Sequence, residues 1–207
     1  YYPEPWMRQM SDQDILYDVS KTVQLKEYMV SQGYCAVVGK GVHDVYQKPP
    51  VFHFEFHRAL YESNPSEIWE EYYRHIKERL IQEKKGAFGY RMRREDFYVY
   101  LVSHSYKHYA GSGTGIRTLL DTYVYLSQEE PHLDFSYVEQ ECGKLGILEY
   151  EQRNRILCKK LFSMDVCIHY DPERLDSLSE TEKQMLREFL LSGVYGNMDQ
   201  KIKKRIS

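Results

Sequence analysis

The chain has 207 residues, and 28 Lys and Arg against 31 Asp and Glu give it a formal net charge of −3. Its 42% hydrophobic and 29% charged content is typical of a globular domain and excludes a disordered or collagen-like chain. No apolar run approaches the ~20 residues that cross a bilayer, no secretory leader pattern is present, and the near-neutral charge argues against strong binding of duplex nucleic acid.

The first 62 residues mix strands with one helix. A strand is predicted from Met10 to Asp18, where aromatic and β-branched residues follow two acids. A helix is predicted from Lys21 to Gln32, with Ser20 as its N-cap and Gly33 directly after its end. A short apolar strand then follows from residue 34 to residue 38.

Two more strands, His43–Lys48 and Val51–His57, are predicted on either side of a Pro-Pro connection. Side chains of a strand alternate between its two faces. The second of these strands therefore places three phenylalanines on one face, Phe52, Phe54 and Phe56, and opposite them His53, Glu55 and His57. One face is expected to be core, and the other to carry titratable groups around a single carboxylate.

After residue 62 the hydrophobic pattern changes to a helical period of about 3.6 residues. A helix with Asn64 as its N-cap and Pro65 at its first position begins this part. Further helices are predicted over 95–109, 116–126, 135–145, 149–162 and 180–191. The fold class is therefore α+β: a small mixed sheet in a domain of residues 1–62, followed by an α-helical bundle in residues 63–207.

Four cysteines are present, at positions 35, 142, 158 and 167, and no two of them form a Cys-x-x-Cys pair or a zinc-ribbon spacing. This pattern favours reduced, structural thiols in a cytoplasmic protein.

The acids at the start of the first strand are candidate metal ligands. Asp12 and Asp14 are two positions apart, so on a strand their carboxylates point to the same side. Two such anions repel each other unless a cation lies between them, and hard oxygen ligands suit Mg²⁺. A polar turn is the alternative, because Ser, Asp and Gln also favour turns. Glu55, on the polar face of a neighbouring strand, would supply a third carboxylate, which is the set that two-metal phosphoryl or nucleotidyl transfer needs.

The order and spacing of several motifs resemble the bacterial uncharacterised nucleotidyltransferase family of the DNA-polymerase-β-like superfamily, over about residues 1 to 165. The motifs that carry the resemblance lie at residues 2–18, 33–34, 43, 51–57, 100–109 and 113–123.

The resemblance implies roles for individual residues. Asp12 and Asp14 correspond to the metal-binding pair of the superfamily, and Glu55 to its third carboxylate, where Asp is more usual. Arg8 stands where the family has an arginine before the acidic pair, and it is expected to contact phosphate or to form a structural ion pair. The glycine-containing motif that holds the triphosphate precedes the acidic pair in the superfamily, so the domain of residues 1–62 is expected to be incomplete at its N-terminus.

Other motifs offer alternatives. His104 and His108 share one helix face and could begin a metal site, or could form polar contacts between helices. The pair His43-Asp44 permits a comparison with metal phosphohydrolases, although it lies on a strand. The glycines of residues 111–115 lack the Gly-Lys-Ser/Thr ending of a P-loop. They precede a helix, however, and with Lys107 and Arg117 could bind an anion.

We therefore expect a nucleotidyltransferase-like protein that transfers a nucleoside monophosphate from an NTP to an unknown small-molecule or macromolecular acceptor in the presence of Mg²⁺. Asp12, Asp14 and Glu55 are the predicted catalytic residues and metal ligands, and Arg8, Lys107 and Arg117 the predicted substrate-binding residues. Two alternatives stay open: a catalytically inactive member that binds a small anion or a protein, and a metal phosphoesterase that uses His104 and His108.

Overall fold

The computed structural model of the protein describes residues 1–8, 10, 13–37, 43–61, 67–111, 113–162 and 172–193. The chain divides into two compact units. The first, which we call the sheet unit, comprises residues 2–78, and the second, the helical unit, comprises Tyr1 and the described part of residues 79–207. A mixed sheet together with many helices confirms the predicted α+β class.

The sheet unit contains a four-stranded sheet. Its strands are β1 (Gln13–Leu16), β2 (Cys35–Val37), β3 (His43–Lys48) and β4 (Phe52–His57), in the spatial order β1-β4-β3-β2. Strand β1 is parallel to β4, and the other neighbours are antiparallel. The four strands were predicted, but β1 is shorter than the predicted Met10–Asp18.

Helix α1 (Thr22–Ser31) covers one face of this sheet. Met29 packs there with Tyr46 and Phe56, which are also buried, and these three side chains form the core of the unit. Gly33 follows the helix with φ of +81°, a conformation that favours glycine, as its predicted position after the helix end requires.

The predicted N-cap, Ser20, does not cap α1. A short 3₁₀ turn, Val19–Lys21, precedes the helix, and Asp18 caps that turn by accepting a hydrogen bond from the Ser20 N–H at 3.0 Å. Asp is as good an N-cap as Ser, and the 3₁₀ turn moves the first cap two residues upstream.

Helix α2 (Glu67–Arg74) and a 3₁₀ turn over Ile76–Arg79 follow β4 in the chain. Trp69 and Tyr73 are buried and pack against Tyr61, with ring centroids 5.1 and 4.9 Å apart. The predicted N-cap Asn64 and the proline after it lie outside the described residues. Helix α2 belongs to the sheet unit. The predicted domain boundary at residue 62 stays a prediction, because compactness alone does not show which segments fold independently.

The helical unit begins with a two-stranded hairpin, β5 (Ile81–Gln82) and β6 (Tyr90–Arg91), which the hydrophobic pattern did not predict. Its helices are α3 (Arg94–Ala110), α4 (Ile116–Glu129), α5 (Phe135–Lys144), α6 (Leu148–Leu161), α7 (Pro172–Asp176) and α8 (Glu180–Leu191). All but α7 were predicted to within a few residues. Helix α3 packs on α5, and α4 packs on α6. No described helix combines the length and the apolar content that a membrane span requires.

The helical unit buries a charged group together with its partners. Glu151 on α6 is fully buried, accepts a hydrogen bond from the Tyr98 hydroxyl at 2.9 Å and pairs with the Arg155 guanidinium at 2.8 Å. Burial raises the pKa of Glu151, and Arg155 opposes that shift. These partners make Glu151 a structural carboxylate, because a buried charge without them would be strongly destabilising.

Candidate functional site on the polar face of the sheet

The alternation of side chains on β4 separates an apolar face from a polar face. Phe54 and Phe56 point to the side that α1 covers. In the strand register, His43 on β3 lies opposite His57 of β4, and Asp14 on β1 lies opposite Glu55 of β4. We use "polar face" for the side of the sheet on which the titratable groups Asp14, His43, His53, Glu55 and His57 lie.

Glu55 lies at the centre of the polar face, with three imidazoles around it. The Nε2 atoms of His43 and His57 are 3.6 and 3.7 Å from its Oε2, and the Nε2 atom of His53 is 3.5 Å from its Oε1. These separations exceed the 2.7–3.2 Å of an N–H···O hydrogen bond. The Glu55 side chain is only 20% exposed, so it is a largely buried carboxylate that the surrounding imidazoles do not hydrogen bond.

Asp14 lies beside this group. Its side chain is 60% exposed, and its Oδ1 is 2.8 Å from the His57 Nε2, which is hydrogen-bond distance. Asp14 and Glu55 are therefore brought together on adjacent parallel strands, as the strand assignment implied. Asp12, the other member of the predicted acidic pair, lies outside the described residues.

Asp44 lies on the opposite face from its neighbour His43. It accepts hydrogen bonds from the Tyr17 hydroxyl at 2.8 Å and from the Arg58 guanidinium at 2.6 Å. Because consecutive residues of a strand point to opposite faces, His43 and Asp44 do not converge on one ion. The comparison of this pair with metal phosphohydrolases is therefore wrong.

The three predicted substrate-binding residues lie in different elements. Arg8 is half-buried in the segment before β1, within the sheet unit. Lys107 on α3 and Arg117 on α4 are half-buried in the helical unit. Phosphate contacts by these side chains remain predictions.

His104 and His108 are neighbours on α3, with their Nε2 atoms 3.4 Å apart. Burial, with a contribution from the charge of Lys107, lowers the pKa of His108. In the part of the chain that the structure describes, the set of three His, Cys, Asp or Glu side chains close enough to share a metal ion is His43, Glu55 and His57. No described third ligand therefore supports the phosphoesterase alternative.

Sequence reasoning grouped His53, Glu55 and His57 from the period of one strand but did not add His43. The missing information was the register of the hairpin. Strands β3 and β4 pair from Lys48 opposite Phe52 to His43 opposite His57. Counting pairs outward from the Pro-Pro connection would have placed His43 on the same face.

Comparison with known proteins identifies the family. The family model described as "Uncharacterised nucleotidyltransferase" matches residues 1–163. The chain belongs to this family. Neither the curated proteins nor the solved structures contain a match. Membership makes the chain a nucleotidyltransferase-like protein, in a family that generally uses divalent metals, and the His43, Glu55 and His57 group is a possible metal-binding group.

Proposed function

We propose that this nucleotidyltransferase-like protein transfers a nucleoside monophosphate from an NTP to a hydroxyl or phosphate acceptor and releases pyrophosphate, with Mg²⁺ as its cofactor. The observation that carries the proposal is the pairing of Asp14 with Glu55 on adjacent strands, in a chain of this family. Both side chains offer hard carboxylate oxygens, which suit Mg²⁺.

Each acid has a distinct role in this proposal. Asp12, by its place in the family motif, and Asp14 would hold the metal ion, and Glu55 would complete the set of ligands. Bound Mg²⁺ would neutralise charge on the triphosphate and on the departing pyrophosphate. Glu55 accepts the proton of the acceptor hydroxyl as the acceptor oxygen bonds to the α-phosphorus and the bond to pyrophosphate breaks. His57 positions Asp14 through its 2.8 Å contact.

Arg8, Lys107 and Arg117 are proposed to bind the nucleotide phosphates. Arginine can contact a phosphate with two parallel hydrogen bonds, whereas lysine acts as a point charge.

The test is isothermal titration with Mg²⁺ and a non-hydrolysable NTP analogue. Asp14→Asn keeps the shape of the side chain and removes its charge, and we expect it to weaken binding at least about 100-fold. Glu27→Gln is the matched control, because Glu27 is an exposed acid on α1, on the other side of the sheet. Circular dichroism spectra check that each variant is folded.

A transfer assay with radiolabelled NTP separates binding from chemistry. Glu55→Gln is expected to lower the transfer rate by about 10²–10⁴-fold, the contribution of a general base. Identical titrations for the wild type and Asp14→Asn would remove the proposed metal role. Binding of nucleotide that needs neither Mg²⁺ nor Asp14, without transfer, would favour the alternative of an inactive anion-binding module.

A further inference from the structure

We propose that His43, Glu55 and His57 form a second kind of metal site, which binds one divalent transition-metal ion of the Zn²⁺ type. One ring nitrogen of each histidine and one carboxylate oxygen of Glu55 all lie within 4.8 Å of one another. The three residues belong to the antiparallel pair β3 and β4, where His43 is opposite His57. A paired hairpin is a rigid support, so the donors are held together before any ion binds.

The separations between the histidine nitrogens and the Glu55 oxygen fit coordination of a shared ion better than direct hydrogen bonds between the side chains. Zn²⁺ bonds to nitrogen at 2.0–2.1 Å and to oxygen at 2.0–2.2 Å with tetrahedral geometry, which places neighbouring ligand atoms about 3.4 Å apart. The two nitrogen-to-oxygen separations here are 3.6 and 3.7 Å. The octahedral geometry of Mg²⁺, with bonds of 2.0–2.1 Å, would instead place adjacent ligand atoms about 2.9 Å apart.

The chemistry of the donors points to the same class of ion. Imidazole suits Zn²⁺, Cu²⁺, Fe²⁺ and Ni²⁺, whereas Mg²⁺ takes oxygen ligands and keeps several waters. Two imidazoles and one carboxylate leave a fourth tetrahedral position for water or a substrate oxygen. His53 adds a third imidazole at the edge of this group. Its Nε2 is buried and, among the described residues, has no hydrogen-bond partner.

Such an ion would compete with Mg²⁺ for shared ligands, and this consequence rests on the proposed function. Glu55 is shared by the two sets of ligands, and the His57 Nε2 that contacts Asp14 would turn to the transition-metal ion instead. Zn²⁺ is therefore expected to inhibit Mg²⁺-dependent transfer. The binding of the transition-metal ion itself does not depend on any nucleotidyltransferase activity.

The experiment is titration of the full chain with Co²⁺, followed by displacement with Zn²⁺, in the absence of nucleotide. Tetrahedral Co²⁺ absorbs visible light far more strongly than octahedral Co²⁺, so the spectrum reports geometry as well as affinity. We expect one tetrahedral site, with an affinity that falls at least about 100-fold in His43→Ala and in Glu55→Gln, since even the outer partners of metal ligands are worth about 10–100-fold.

Two control variants separate the site from general histidine binding. His75→Ala removes an exposed histidine of the same unit that pairs with Glu78, and it should leave the Co²⁺ affinity unchanged. His53→Ala removes the third imidazole and should weaken binding less than His43→Ala does. The urea unfolding midpoint of each variant shows whether it is folded.

The proposal is overturned if Co²⁺ binds octahedrally, if it does not bind, or if folded His43→Ala binds it as tightly as the wild type. Failure of the proposed function would be detected in a different measurement, the nucleotide titration, as an absence of Mg²⁺-dependent nucleotide binding by the wild type. In that case the Co²⁺ titration still tests the site. If Co²⁺ binds tightly but Zn²⁺ does not inhibit transfer, the proposed competition with Mg²⁺ is contradicted, whereas the transition-metal site itself is supported.

Discussion

Each face of the four-stranded sheet carries one partly buried carboxylate, Asp44 on the side that α1 covers and Glu55 on the polar face, and these two carboxylates differ in what surrounds them. The side chains of Asp44 and Glu55 have nearly equal exposure, 23% and 20%. Asp44 accepts hydrogen bonds from Tyr17 and Arg58, whereas the imidazoles around Glu55 stay at 3.5–3.7 Å. Partial burial alone therefore does not mark a functional group. The metal proposals rest instead on the neighbours of Glu55, which leave room for an ion.

The packed face should determine the stability of the sheet unit, and this is the largest expected effect. Phe56 is 9% exposed and contacts Tyr46 and Tyr17. Phe56→Ala should lower the free energy of unfolding by about 3–5 kcal/mol, measured by urea denaturation. Phe52, on the same face of β4 but 48% exposed, is the matched control, and Phe52→Ala should cost less than about 1 kcal/mol. Equal losses would show that the core does not lie where we place it.

The two carboxylates provide the next test. Asp44→Asn should cost about 1–2 kcal/mol at neutral pH, because it removes a charge-assisted hydrogen bond from a partly exposed arginine. Glu55→Gln should change the free energy of unfolding by less than about 1 kcal/mol, because no imidazole hydrogen bond is lost. A loss at Glu55 as large as that at Asp44 would make Glu55 a structural residue and would weaken both metal proposals.

The pH dependence of stability sharpens this contrast. Burial raises the pKa of Asp44, but the hydrogen bonds from Arg58 and Tyr17 and the charge of Arg58 outweigh it, so the pKa lies below its ordinary value of 3.8. A lowered pKa in the folded state gives stability that is present above pH 3.8 and is lost as the pH falls toward the folded-state pKa. In urea titrations across this acidic range, Asp44→Asn should lose stability less steeply than the wild type.

Local sequence patterns predicted the part of the site that lies on one strand. Period-2 alternation in β4 is enough to place Glu55 between two histidines and opposite the phenylalanines, and period-3.6 patterns located the long helices. Pairing between strands is a different kind of information. The pairing of strands places His43 and Asp14 on the same face of the sheet as Glu55. This pairing depends on the register between strands, which the sequence of a single strand does not encode. The hairpin of β5 and β6 was missed for a related reason, since two-residue strands are too short to show a period.

The smallest expected effect concerns access to the β2 end of the polar face. The register places Cys35 on this side of the sheet, opposite Gln47, and Cys35 is exposed, whereas Cys142 and Cys158 are buried. Burial raises the pKa of Cys158 to about 12, which further suppresses its reactive thiolate.

A thiol reagent should therefore modify Cys35 rapidly in the folded protein and should reach Cys142 and Cys158 only after unfolding. Peptide mass mapping assigns each modified cysteine, including Cys167, which lies outside the described residues. Labelling should shift the free energy of unfolding by less than about 0.5 kcal/mol, as expected for a surface change. Protection of Cys35 equal to that of the two buried thiols would mean that this end of the polar face is covered, and an ion or a nucleotide would then need another route to Glu55.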